Sequence, residues 1–77
     1  SMRDAGIHPG DLAVIEQRSF AENGEIVAAL IEDSATLKRF FKENNRIRLQ
    51  AENPDYAPIY TQDVRILGKL KAIIRSY

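Results

Sequence analysis

Apolar residues along this chain come in short runs separated by turn residues. Asp11–Arg18 holds four apolar residues in succession between turns, the pattern of a strand covered on both faces. Glu25–Ile31 (Glu-Ile-Val-Ala-Ala-Leu-Ile) reads as a second strand. Arg46–Ala51 alternates cleanly, which puts Ile47, Leu49 and Ala51 inward and Arg46, Arg48 and Gln50 outward. Tyr60–Asp63 is short and polar. Val64–Ile74 reads as a last strand or pair of strands. There Leu70, Ala72 and Ile74 are expected to face one way and Lys69, Lys71 and Ile73 the other, with Gly68 marking a bulge or bend.

The breaks between these runs carry turn chemistry. Gly6, Pro9 and Gly10 punctuate residues 1–10, so Met2 to Ala5 has room for one helical turn at most. Asn23-Gly24 between apolar runs is a strong hairpin signal, because both residues tolerate positive φ. Glu32-Asp33-Ser34 predicts a tight turn, and Asn44-Asn45 another. Glu52–Pro58, with two prolines, predicts a loop.

Ala35–Lys42 admits two readings. As a strand, it puts Thr36, Lys38 and Phe40 on one face and Leu37, Arg39 and Phe41 on the other. As a helix capped by Ser34, it would run barely two turns before Asn44-Asn45. The neighbouring strands and turns favour the strand. Short strands at this spacing predict an all-β barrel or sandwich.

Composition narrows the picture. Seventy-seven residues make one small domain or part of one. A chain of that size buries only about 60–65% of the surface its unfolded form exposes, so its stability is marginal. It has no cysteine to reinforce it, which suits a reducing cytosol. No apolar run reaches the roughly 18 residues of a membrane span, and no signal peptide opens the chain. Eleven Lys+Arg balance eleven Asp+Glu, so a basic footprint for nucleic acid is missing. The pairs Arg46/Arg48 and Lys69/Lys71 read as solvated strand faces.

Few residues offer chemistry. The single histidine, His8, sits beside Pro9-Gly10 and reads as a turn residue, so no metal site is expected. The carboxylates are scattered, and no glycine-rich phosphate loop follows a strand. The aromatics Phe40, Phe41, Tyr56 and Tyr60 read as core and loop packing rather than as a stacking platform.

A Ser–Lys dyad remains, formed by Ser1 and Lys38. It requires a lysine whose pKa falls from about 10.4 toward 7, roughly 4 kcal/mol against the ammonium. It also requires a serine hydroxyl bonded to that amine and backbone N–H groups to receive the oxyanion. Lys38, flanked on its own strand face by Thr36 and Phe40, could meet the first requirement. Ser1, opening a turn before Met2, could meet the others. Residue types alone leave the alternatives open: Lys38 is also readable as an exposed strand lysine, and Ser-Met as a leftover before a native start.

Three stretches together resemble a known family. Ser1-Met2-Arg3-Asp4-Ala5-Gly6-Ile7 followed by Gly10-Asp11-Leu12, then Asn23-Gly24-Glu25-Ile26-Val27-Ala28, then Ala35-Thr36-Leu37-Lys38-Arg39-Phe40, stand in order and at suitable spacing. They are similar to the nucleophile segment, the hairpin and the lysine segment of the self-cleaving C-terminal domain of the LexA repressors, S24-type peptidases. UmuD and phage repressors are relatives. Leu49-Gln50-Ala51-Glu52-Asn53, Pro58-Ile59 and Ile66-Leu67-Gly68-Lys69 fit the same proteins, and LexA better than UmuD.

The resemblance implies an all-β fold: a small, strongly bent antiparallel sheet or partly open barrel of the LexA/signal-peptidase type, truncated at its N-terminus. It implies that residues 1–77 are an autoproteolytic and dimerisation domain without the helix-turn-helix domain and the Ala-Gly cleavage segment. It makes Ser1 the nucleophile and Lys38 its general base, with Met2 and Thr36 as candidate oxyanion and supporting residues and no cofactor. Implied partners are a second copy, the RecA–single-stranded-DNA filament, and operator DNA through the missing domain, in the bacterial cytoplasm with no membrane. The last strand, at Lys69, Leu70, Lys71 and Ile73, is the expected dimer edge. Alternatives are a UmuD-like or phage-repressor domain, a catalytically silent dimerisation module, and an amino-terminal-nucleophile hydrolase that uses the α-amine of Ser1.

Overall fold

A computed structural model describes residues 2–77. After a 3-10 turn at Arg3–Ala5 come six strands: β1 (Leu12–Gln17), β2 (Ile26–Ile31), β3 (Ser34–Lys42), β4 (Ile47–Gln50), β5 (Ile59–Thr61) and β6 (Arg65–Ile74). They form one sheet in the order β1-β6-β2-β3-β4-β5. Every neighbouring pair is antiparallel. Among the described residues no pairing joins β1 to β5, so the sheet stays open. The chain is all-β, as expected, and Ala35–Lys42 lies within a strand.

The tight β2–β3 hairpin turns on Glu32 (φ 48°) and Asp33 (φ 68°), between the paired Ile31 and Ser34. Positive φ at both central residues is the two-residue turn that matches strand twist. Asn23-Gly24, expected to make a hairpin, does not join β1 to β2, because β6 lies between those strands. It leads into β2 instead and lengthens the β2–β3 pairing. Gly24, at φ 87°, donates its N–H to the Phe40 carbonyl, and the Phe40 N–H returns to the Glu25 carbonyl, each at 2.8 Å.

One face of the sheet makes the core. Val27, Ala29, Phe40, Leu49 and Ile66 form its buried cluster, with Ala21, Ile31, Ile47, Ile59 and Val64 packed around it. Alternation explains the membership: Val27, Ala29 and Ile31 are every second residue of β2, and Ile47 and Leu49 of β4.

β6 is continuous but twice irregular. Its register with β2 skips Leu67, and its register with β1 skips Lys71. Each extra residue bends the strand and resets its faces. Leu70 therefore pairs with Ile15, and Ala72 with Val14, so these two point to opposite sides. The expected common face of Leu70, Ala72 and Ile74 is corrected accordingly. Gly68, between the two irregularities, permits the close approach of β1: a Cβ there would collide with Ile15 Cγ2 and the Glu16 carbonyl oxygen.

Two other expectations change. β1 is not covered on both faces. Among the described residues it is an outer strand paired only with β6, and Leu12 is 66% exposed. Tyr56 and Tyr60 are exposed rather than packed, and Tyr60 lies under the Arg46 guanidinium at 3.8 Å. The basic pairs meet carboxylates, as solvated faces do. Lys69 bridges Glu25 at 2.7 Å, Lys71 bridges Glu16 at 3.2 Å, and Arg46 and Arg48 share Glu43.

Candidate active site

Lys38 lies on the core side of the sheet. β3 is paired along both edges, with β2 and with β4, so its inward positions are screened from both sides. Val27 stands directly across from Lys38, Ala29 across from Thr36, and Leu49 across from Phe40. Val27 and Ala29 are fully buried, and Lys38 itself is only 7% exposed. Loss of water penalises the ammonium form, and this burial pulls the Lys38 pKa below the ordinary lysine value. Thr36 is half-buried on the same face.

Ser1 lies outside the described residues, but the segment that follows it is well anchored. Met2 is buried. Its carbonyl accepts from the N–H of Ala5 at 3.1 Å and of Ile7 at 3.3 Å. Gly6, in the left-handed region at φ 77°, closes the 3-10 turn by donating to the Arg3 carbonyl. The Asp4 N–H donates to the Glu52 carbonyl at 2.6 Å, and the Glu52 carboxylate pairs closely with Arg39 Nε. Arg39 is the residue after Lys38, and it also donates to the Gly24 carbonyl. One step beyond the Arg39–Gln50 pair, the register carries buried Ala51 abreast of Lys38. Residues 2–4 are thereby tied to the chain just past β4, which runs abreast of Lys38 in the middle of β3.

The residues expected at the dimer edge separate. Lys69 is paired on both sides, with Glu16 of β1 and Val27 of β2. Leu70, Lys71 and Ile73 lie where β6 has outrun β2, and among the described residues only β1 borders that stretch.

Sequence reasoning missed both arginine-centred ties. Arg39–Glu52 spans 13 residues and Arg75–Asp11 spans 64, and no local pattern announces either. Arg75 binds both oxygens of Asp11, whose carboxylate also accepts the His8 N–H at 2.8 Å. The Arg75 hydrogen bonds, and then the His8 N–H, hold the Asp11 carboxyl well below the usual carboxylate range. His8 itself is exposed in its turn. Among the described residues no cluster of three or more His, Cys, Asp or Glu is placed to hold a metal ion. A surface cavity of about 660 Å³ opens between the end of β1 and the start of β6, around Arg18, Leu30 and Arg65. Lys38 is not part of its lining.

Residues 1–71 match the Peptidase S24-like family. Over all 77 residues the chain is 62% identical to a LexA repressor of Clostridium perfringens (strain SM101 / Type A). It is 60% identical to a LexA repressor of Clostridium kluyveri and 54% identical to one of Leptospira interrogans. In each case it spans 38% of the relative's length.

Proposed function

The chain belongs to the Peptidase S24-like family, as a LexA-like member, and from that premise we propose that it is the self-cleaving and dimerising part of an SOS-response repressor. Ser1 Oγ attacks the carbonyl carbon of an Ala-Gly bond in the repressor's own chain. The neutral Lys38 amine takes the hydroxyl proton and returns it to the leaving Gly nitrogen. The new Ser1–acyl bond is then hydrolysed by water. Met2 belongs to the backbone that receives the oxyanion, and Thr36 orients the lysine amine. The RecA–single-stranded-DNA filament favours the cleavable conformation, a second copy pairs along β6, and a separate domain reads operator DNA in the bacterial cytoplasm.

The burial of Lys38 across from fully buried Val27 is the observation that carries this reading. A lysine on a packed face is costly unless it sheds its proton, and a neutral amine is what the serine needs. The test is self-cleavage in a form with an Ala-Gly segment joined ahead of Ser1. Cleavage is expected to rise with pH as Lys38 deprotonates, and Lys38→Ala should slow it by about 10²–10⁴-fold, the range for removing a general base. An alanine variant that cleaves at the parental rate would sink the dyad.

A further inference from the structure

The stretch from Met2 to Asp11 contains no strand, yet it carries the proposed nucleophile at its head. Something must hold it in register with the sheet. Its Met2 end is tied to Glu52, as described above. Its far end is tied by one side chain. Arg75 Nε donates to Asp11 Oδ1 at 2.8 Å, and an Arg75 terminal nitrogen donates to Asp11 Oδ2 and to the Gly6 carbonyl, each at 2.7 Å.

We propose that Arg75 is a positioning residue for self-cleavage, fixing the segment that presents Ser1 to Lys38. This inference rests on the Ser1–Lys38 reading above.

The bond geometry favours positioning over simple cross-linking. Asp11 and Arg75 stand just past Leu12–Ile74, the last pair of the β1–β6 ladder, so the ladder itself does not depend on them. Arg75 spends two donors on the carboxylate and one on Gly6. Gly6 is the left-handed residue that closes the Arg3–Ala5 turn, and the next residue, Ile7, donates its N–H to the Met2 carbonyl. Orientation therefore passes from Arg75 to the Gly6 peptide, then through Ile7 to Met2, the residue bonded to Ser1. Asp11 holds the same segment from its other end by accepting the His8 N–H. The Asp11 side chain is almost wholly covered, while Arg75 keeps about a third of its own exposed. Only a planar guanidinium supplies this fork; a lysine ammonium is a single point charge.

Displacing a catalytic group by about 1 Å can cost about 100-fold in rate. Arg75→Ala is thus expected to slow self-cleavage by about 10–100-fold in the form carrying an Ala-Gly segment ahead of Ser1. Arg75→Lys, which keeps the charge and guards against a variant that fails to fold, should fall between. Free guanidinium ion, kept well below the molar range that unfolds small domains, should restore part of the rate to Arg75→Ala and none to Lys38→Ala. A merely structural arginine would show the opposite response, because guanidinium would only weaken the fold. Parental rates in both Arg75 variants, or slowing that guanidinium deepens, would overturn this inference and leave the dyad standing. Parental rates in Ser1→Ala and Lys38→Ala would instead remove the dyad, and this inference with it.

Discussion

Val27 has a lysine on either side of it. Lys38 of β3 and Lys69 of β6 are both its cross-strand partners, on the same face of the same sheet. Lys69 keeps about a third of its side chain exposed and bridges Glu25 at 2.7 Å. Its hydrogen bond holds the Glu25 carboxyl below its usual range. Lys38 is covered, and desolvation drives its pKa down. The difference comes from position in the sheet. Lys38 is flanked by β2 on one side and by buried Ala51, just past β4, on the other, whereas β6 is bent by two irregularities around Lys69 and leaves the packed face beyond it. The lowered pKa of Lys38 comes from what covers it, not from residue type or strand alternation.

The sharpest test of that contrast is catalytic. Lys69→Ala should change self-cleavage by no more than a few-fold, against the loss of about 10²–10⁴ expected for Lys38→Ala. Equal losses would mean that both lysines serve the reaction, and the comparison would fail.

The next largest effect concerns apolar residues in the same two regions. Leu49 is 1% exposed at the centre of the core, and Leu12 is 66% exposed on β1. Leu49→Ala should cost about 2–5 kcal/mol, the usual range for emptying a packed leucine site. Leu12→Ala should stay within about 0.5 kcal/mol in a monomer. Urea unfolding of both variants gives the comparison directly. A large cost at Leu12 would show that the β1–β6 ribbon is packed against something in solution, such as a second copy.

How much of this was legible in the sequence follows from the same distinction. Period-two alternation found the strands, placed Leu49 and Ala51 on inward positions and put Lys38 on one face with Thr36 and Phe40, because alternation is a property of the local chain. It could not say that β6 would run between β1 and β2. The four apolar residues of Asp11–Arg18 therefore looked like a covered strand when they belong to an outer one. Lys71 and Leu67 look like ordinary strand residues until two partner strands disagree about their register. Arg39–Glu52 and Arg75–Asp11 are long-range ion pairs between residues common on any surface, and nothing in their own neighbourhoods marks them.

The bent end of β6 supplies a smaller effect. From Leu70 to Ile74 the strand is bordered by β1 alone among the described residues, and the stretch ends in Ile74, 56% exposed. An unpaired strand edge is a template for a second chain. If a second copy pairs there, Ile73→Asp should move the protein toward monomer in sedimentation, with about a tenfold weaker association for each 1.4 kcal/mol lost. An unaltered dimer would place the contact elsewhere.

The subtlest effect returns to Lys38 and reads its burial as stability. Because its pKa is lower in the folded chain than in the unfolded one, the unfolded chain binds the proton more tightly. Acid therefore works against the fold at this residue. The penalty is complete below the folded pKa. It is relieved as pH climbs from there toward the ordinary lysine value, and it is gone above that value. Lys38→Met keeps an unbranched side chain of similar reach and carries no charge. At pH 7 it should be more stable than the parent by on the order of 1 kcal/mol. The gap should close as pH is raised toward 10. Every other titratable group is common to both proteins, so the difference between the two unfolding curves isolates Lys38. Carboxylates such as Glu25 and Glu43, whose pKa values are lowered, lose their contribution only as pH falls through those values and leave the alkaline window untouched. A gap that stays constant from pH 7 to pH 10 would mean that the ammonium is as well accommodated in the fold as in water, and Lys38 would then be no different from Lys69.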